Sequence, residues 1–348
     1  MKKSLLALAI LGAFASAASA QSSVTIYGIV DTGIARIDNG GDSVTQLKSG
    51  NNNSSRIGFK GAEDLGNGLK ATFVLENGLN SDDGSAATAS AAFSRLSYVG
   101  LEGNFGAVRL GRQNSQIKTA LSQIDPFETG GLVNAINLFT GGGIPERVSN
   151  QITYTAPNMG GFQASVGYVF GETAGDTSAN NGWGAQLGYA NGPLNLQFGY
   201  NKQNKTDLLA NGTVDPTGND NDTDVFMLGA TYNFGGFKLH GAYGQQKAEQ
   251  AAGADDIKVK SALVGVTVPF GASKIRAEYI RNNDDRDDHD SSVWALGYTY
   301  SLSKRTTLYA TYARTGNDDD SKLAFGSSPA AVVGENASGV AVGIQHNF

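Results

Sequence analysis

From residue 24 onward, sixteen short segments of this chain alternate apolar and polar residues with a period of two. No stretch after residue 20 approaches the roughly 20 apolar residues that a membrane-crossing helix needs. The segments are residues 24–31, 56–61, 69–76, 93–101, 107–113, 147–156, 162–170, 183–189, 194–200, 225–234, 237–245, 261–270, 274–280, 293–300, 307–313 and 339–348. In the first, Val24, Ile26 and Val30 share one face, and Thr25, Tyr27, Ile29 and Asp31 share the other. In the second, Ile57 and Phe59 oppose Arg56 and Lys60. In the fourth, Leu96 and Tyr98 oppose Arg95 and Ser97; in the sixth, Val148, Ile152 and Tyr154 oppose Arg147, Ser149, Gln151 and Thr153.

The connections add a second regularity. Tight turns at 64–68, 103–106, 158–161, 191–193 and 235–236 alternate with long polar stretches at 38–55, 171–182, 202–224, 247–256, 281–291 and 316–338. A meander that crosses a membrane puts its short turns on one side and its long loops on the other. Composition alone, with 47 glycines, 29 tyrosines and phenylalanines and 7 prolines, suits a soluble β-sandwich equally well. A sandwich, however, has no reason to segregate its connections by length, and the rings near the strand ends suit a headgroup boundary. The expected fold is therefore all-β: a 16-stranded antiparallel transmembrane β-barrel.

Residues 1–20 read as a signal peptide, with Lys2 and Lys3 before an apolar run and Ala18-Ser19-Ala20 at the cleavage site. This leaves residues 21–348 as the barrel. Removing those two lysines takes the formal charge from -6 to -8, so the mature chain lacks the positive surface that nucleic acid requires. No cysteine is present, which excludes disulfides and thiolate metal sites. The sequence Asp220-Asn221-Asp222-Thr223-Asp224 begins like a calcium loop, but Thr231 stands where the closing glutamate belongs. It reads as a solvated face, as do the acids between Asp284 and Asp290, with loose divalent bridging to lipopolysaccharide as the other reading. No metal site or cofactor is expected.

One connection breaks the pattern. Residues 114–147 are too many for a hairpin and lack alternation, and loops of this size are commonly functional. The reading is that this loop folds into the barrel and narrows it.

The stretches Ser22-Ser23-Val24-Thr25-Ile26-Tyr27-Gly28, Ser55-Arg56-Ile57-Gly58-Phe59-Lys60-Gly61-Ala62-Glu63-Asp64-Leu65-Gly66 and Val108-Arg109-Leu110-Gly111-Arg112-Gln113, with the terminal Phe348, resemble the trimeric general porins of Gram-negative bacteria, of the β-proteobacterial type. The resemblance spans the mature chain. It implies a homotrimer of sixteen-stranded barrels in the outer membrane, passive diffusion of ions and small hydrophilic solutes, and a third loop inside each lumen. It also implies contact with outer-membrane lipid and lipopolysaccharide, and delivery to the barrel-assembly machinery through Phe348.

In that family, wall cations face loop acids across the constriction. The matching wall residues are Arg56, Arg95 and Arg147, and each opposes the apolar face of its segment. A charge facing lipid costs a few kcal/mol at mid-bilayer, so the lumen is the cheaper side. Lys60 shares this inward parity and either lines the pore or ends at a rim. Arg112 shares parity with Val108 and Leu110 and points outward, into a subunit interface or to headgroup level. On the loop, Asp125 and Glu128 are the candidate acids. The family places its acid directly after the proline, whereas here Phe127 follows Pro126 and Glu128 comes next, so Asp125 is the stronger candidate. The two acids either set a transverse field across the lumen or hold the loop to the wall.

An enzyme needs a nucleophile and a base held together. His240, His289 and His346 lie on different segments, and no Gly-x-Ser-x-Gly or His-Glu-x-x-His occurs. A substrate-specific channel is the alternative function, but most rings have outward parity and Tyr27 is the main inward exception in the first strand. The three arginines favour anions, while the mouth acids and Asp125 favour cations; on proximity the lean is a weak anion preference.

Overall fold

Strands in hydrocarbon can satisfy their backbone only by pairing with one another, and only a closed sheet leaves no edge. A computed structural model of the chain describes residues 23–174, 177, 180–204, 222–250, 255–326, 329 and 331–348. The proposed signal peptide and Asp220-Asn221 lie outside the described residues. The strands are β1 (Ser23–Asp38), β2 (Ser43–Ser49), β3 (Arg56–Gly66), β4 (Leu69–Gly78), β5 (Leu96–Gly103), β6 (Gly106–Asn114), β7 (Arg147–Thr155), β8 (Phe162–Val169) and β9 (Gly182–Asn191). They continue with β10 (Leu194–Gln203), β11 (Thr223–Asn233), β12 (Lys238–Ala248), β13 (Ile257–Phe270), β14 (Ser273–Asp284), β15 (Ser291–Ser301), β16 (Thr306–Asn317) and β17 (Ser338–Asn347).

These elements make sixteen staves, because β2 and β3 lie end to end against the same side of β1. Residues 43–49 are therefore wall, not the irregular loop that their polarity suggests. The barrel closes where β17 pairs with residues 29–38 of β1. Gly28 and Phe348 then exchange both backbone hydrogen bonds, at 3.2 and 3.1 Å.

Side chains follow the pleat. Outward rings on β8 to β16 form two belts. Trp183–Tyr200 and Trp294–Tyr312, at 4.7 and 5.1 Å between centroids, lie toward the long-loop end; Phe162–Tyr189 and Phe234–Phe237, at 4.6 and 4.8 Å, lie toward the turn end. The outward face of β17 and β1 is aliphatic instead, with Val24, Ile26, Ile34, Val340 and Val342 exposed.

Two parities differ from those read in the sequence. On β5, Val99 and Leu101 are the exposed residues, and Tyr98 turns inward beneath the Arg109 guanidinium, 5.6 Å from its ring centroid. Arg95 precedes this strand in an irregular segment, so alternation cannot be carried across to it. On β7, Asn150 adopts φ +55° and interrupts the pleat. Val148 is buried there, although Ile152 and Tyr154 face out.

The segment between β6 and β7 is largely buried. It holds helix α1 (Gln116–Leu121), whose Ser115 Oγ accepts from the Lys118 N–H at 3.1 Å, and helix α2 (Ala135–Leu138), capped by Asn134. Ile117, Leu121, Ile124 and Phe139 show no exposure. The segment lies on the inward faces of the wall strands, where glycines leave room for it. A Cβ at Gly265 would sit 2.6 Å from Pro126, and one at Gly297 would sit 2.7 Å from Phe127.

Candidate functional site

Arg56, Arg95 and Arg147 reach one region of the inner wall although they come from three different contexts: the first residue of β3, the segment before β5, and the first residue of β7. Their charges act on one another there. Glu76, inward on β4, holds Arg95 through a 2.6 Å contact between Oε1 and Nε, and accepts from the Tyr27 hydroxyl at 2.9 Å. Glu146 takes the Lys118 ammonium at 2.6 Å and the Arg147 guanidinium at 2.8 Å. Arg56 donates only to a neutral group, the Asn53 Oδ1 at 3.1 Å. The group therefore contains four cations and two carboxylates, a surplus of two positive charges.

Lys60 adjoins this cluster from the turn side. Its ammonium stands 5.2 Å from the Tyr27 ring centroid, a cation–π contact along the inner wall. Arg112 donates to the Ser94 carbonyl at 2.6 Å and the Ser149 hydroxyl at 2.9 Å, which ties the ends of β5, β6 and β7 together.

The loop acids separate in the opposite sense to the sequence ranking. Asp125 does not border the open lumen: it is 3% exposed. Its carboxylate accepts from the N–H groups of Phe127 and Thr129, both at 2.7 Å, and it faces Glu278 and Arg276 of β14. Burial pushes the Asp125 carboxyl above its usual range, against the pull of those two amides. Phe127 lies under the Arg276 guanidinium, 4.6 Å from it, and fills the place where Gly297 has no side chain. Glu128 is the exposed acid. It borders a cavity of about 380 Å³ with Lys274, whose ammonium is 4.0 Å away. Asp125 is thus the anchor, and Glu128 is the acid that water reaches.

Lys118, Glu146, Glu76 and Arg276 were not singled out in the sequence. Lys118 is the sole cation between residues 114 and 146, and Glu146 directly precedes Arg147, so two of the four carried a local signal. Burial lowers the Lys118 pKa to about 8, while Glu146 opposes the shift. Burial would raise Glu146, but Lys118 and Arg147 outweigh it and hold the carboxyl below its usual range.

Other candidate chemistry is absorbed locally. Asp222 pairs with Lys202 at 3.0 Å, and Asp224 accepts from the Tyr200 hydroxyl at 2.5 Å. Asp284 pairs with Arg286, and Asp290 with Arg281, both at 2.6 Å. His240 contacts the Ile124 carbonyl and Thr267, His289 contacts the Asp287 carbonyl, and His346 contacts Thr306, so the three histidines stand apart from one another.

A family model described as Gram-negative porin matches residues 7–320. Outer membrane porin protein 32 of Delftia acidovorans is 40% identical over the full length of both chains, and an outer membrane porin protein of Bordetella pertussis is 34% identical, again over both full lengths. Among solved structures, the anion-selective porin from Comamonas acidovorans superposes with a TM-score of 0.83 at 36% identity, covering 94% of this chain and 100% of that one.

Proposed function

Since the chain belongs to the Gram-negative porin family, and so is a passive outer-membrane channel and not an enzyme, we propose that it is a non-specific diffusion pore with a preference for anions. In this reading the segment between β6 and β7 narrows the lumen, and Arg56, Arg95 and Arg147 line the opposite side of the passage. The carrying observation is the surplus of two positive charges in the wall cluster, with Arg56 bonded to no carboxylate among the described residues. A charged ring of one sign tunes which ions enter a narrow aqueous path. The solved anion-selective relative supports the same sign. Three barrels per assembly, the arrangement of the family, agree with the aliphatic outward face of β17 and β1, which lacks the belts found elsewhere.

The test is a planar bilayer with a salt gradient across it. Stepwise conductance with an anion-directed reversal potential is expected, and a cation-directed potential overturns the preference. The pH dependence follows from Lys118. It is protonated below about pH 8 and loses its charge as pH rises through that value, which leaves the cluster with a surplus of one. The anion preference should therefore decline between pH 7 and 9, and in Lys118→Met the reversal potential should stay flat over that range.

A further inference from the structure

Between the β6–β7 segment and the turn end, the inner wall is divided by chemistry. Around β13–β17 the cavity bordered by Glu128 is charged, with Lys274 and Arg276 in its lining. Around β5–β9 lies a second cavity, of about 460 Å³, which reaches from Leu96 to Ala156 and Asn158 at the turn end. β7 and β15 stand eight staves apart in the ring of sixteen, so the two cavities belong to opposite walls. Helix α1 borders the second through Gln116 and Thr119.

This second cavity carries no net charge. Its one charged lining residue, Arg109, is bound to Glu102 at 2.7 Å. The polar lining is otherwise neutral, chiefly the amides of Gln113, Gln116, Gln163 and Gln186 and the hydroxyls of Thr153 and Ser165. Two of these amides are held by neighbours: Gln116 accepts from the Gln151 amide at 3.0 Å, and Gln186 donates to the Gln197 Oε1 at 2.8 Å. Others are unspent. Thr153 is 6% exposed, yet its hydroxyl has no hydrogen-bond partner among the described residues, and the Gln163 amide has none either. A buried hydroxyl is normally paired, and a single χ1 step lets this one change places with its own methyl group.

We propose that this wall binds a neutral, polyhydroxylated solute, a mono- or disaccharide, on its way through the channel. An amide and a hydroxyl each offer a donor and an acceptor, which is what every sugar hydroxyl requires of its surroundings. Leu96 and the Tyr98 ring add apolar surface for the C–H side of a sugar. Ions are drawn to the charged cluster and to the opposite wall, where a neutral solute gains little. The volume lies within the range of about 300–1,000 Å³ of small-molecule sites, and amides already fixed by their neighbours lose little freedom on binding. The site rests on the reading that solutes cross this lumen, and not on which ions are preferred.

The experiment records current through single assemblies in a planar bilayer while trehalose is added, because a solute that dwells in the lumen displaces ions and adds current noise. Noise that saturates with trehalose is expected, with half-saturation in about the millimolar range. A glycol dimethyl ether of matched mass, which carries no hydroxyl, should add noise without saturation. Thr153→Val/Gln163→Leu should raise the half-saturating concentration at least about fivefold. Thr307→Val, the same loss of a hydroxyl on the opposite wall, should leave it as in wild type. Assembly on unheated gels and stepwise conductance serve as the folding control. Gln163→Leu alone breaks no side-chain bond among the described residues, and an increase of about twofold is expected of it even where the double variant fails to assemble. Absence of conductance steps in wild type sinks the channel reading itself. Steady steps without saturable noise overturn the site, as do equal saturation by the ether, an unchanged half-saturation in the assembled variants, or an equal rise in Thr307→Val.

Discussion

Replacing Arg56 and Arg147 together with glutamine should lower the ratio of anion to cation permeability by about tenfold. A unit charge about 6 Å from the ion path acts on a monovalent ion with about 0.7 kcal/mol at the dielectric constant of water. It favours anions and opposes cations by the same amount, so each arginine shifts the ratio by about 1.4 kcal/mol before screening. At 0.1 M salt the Debye length of about 10 Å leaves roughly half of that, or about threefold per arginine.

Arg56 should contribute the larger part, because its one bonded partner, Asn53, is neutral, whereas Arg147 shares Glu146 with Lys118. Arg95→Gln should do less than either. It strands Glu76 beside Tyr27 in a pocket where that carboxylate is 5% exposed, and protonation of Glu76 would return part of the lost charge. Reversal potentials under a salt gradient measure all three, and a double variant that keeps the native potential would show that the cluster does not govern selectivity.

Much of this arrangement was legible in the residues, for a definite reason. A wall strand has one face in lipid and one in the lumen, so each side chain's environment is written into its parity, and the sixteen segments counted in the sequence are the sixteen staves. The reading failed where the pleat is interrupted. Arg95 joins the cluster from a segment outside β5, and Arg147 precedes the irregularity at Asn150, so neither is placed by alternation. Their arrival in the cluster depends on tertiary partners, Glu76 and Glu146. At position 125 the residues left both roles open, lumen acid or wall anchor, for a related reason. An acid beside a proline in a polar loop looks solvent-facing, and only the approach of β14 shows that it meets Arg276 and Glu278. The bend between β2 and β3 was equally hidden. Asp31 holds it through the N–H groups of Asn52 and Asn53 at 2.8 and 2.6 Å, and it meets the Gly130-Gly131 step where Leu132 donates to the Asn51 carbonyl at 2.8 Å.

The two loop acids should therefore respond to mutation in opposite ways. Asp125→Ala removes a carboxylate that accepts two amides, each worth about 1.5–3 kcal/mol as a bond to a charged group. It also removes the buried acid that faces Arg276 and Glu278. The turn that these amides close carries Glu128 at φ +59° and Thr129 at φ +53°, conformations that non-glycine residues hold only when their surroundings enforce them. Without Asp125 the turn should relax, Phe127 should leave the space at Gly297, and the loop should lift from β13–β15. The barrel ladders do not pass through this segment, so the assembly should still form. The expected result is a larger and noisier single-channel conductance, with protease cleavage appearing between residues 125 and 131. Glu128→Gln should leave conductance and protease resistance unchanged and shift the reversal potential further toward anions, because it deletes a negative charge that water reaches without disturbing a buried one. If Asp125→Ala conducts and resists protease like the native channel while Glu128→Gln loosens the loop, the division of roles between anchor and lumen acid is reversed.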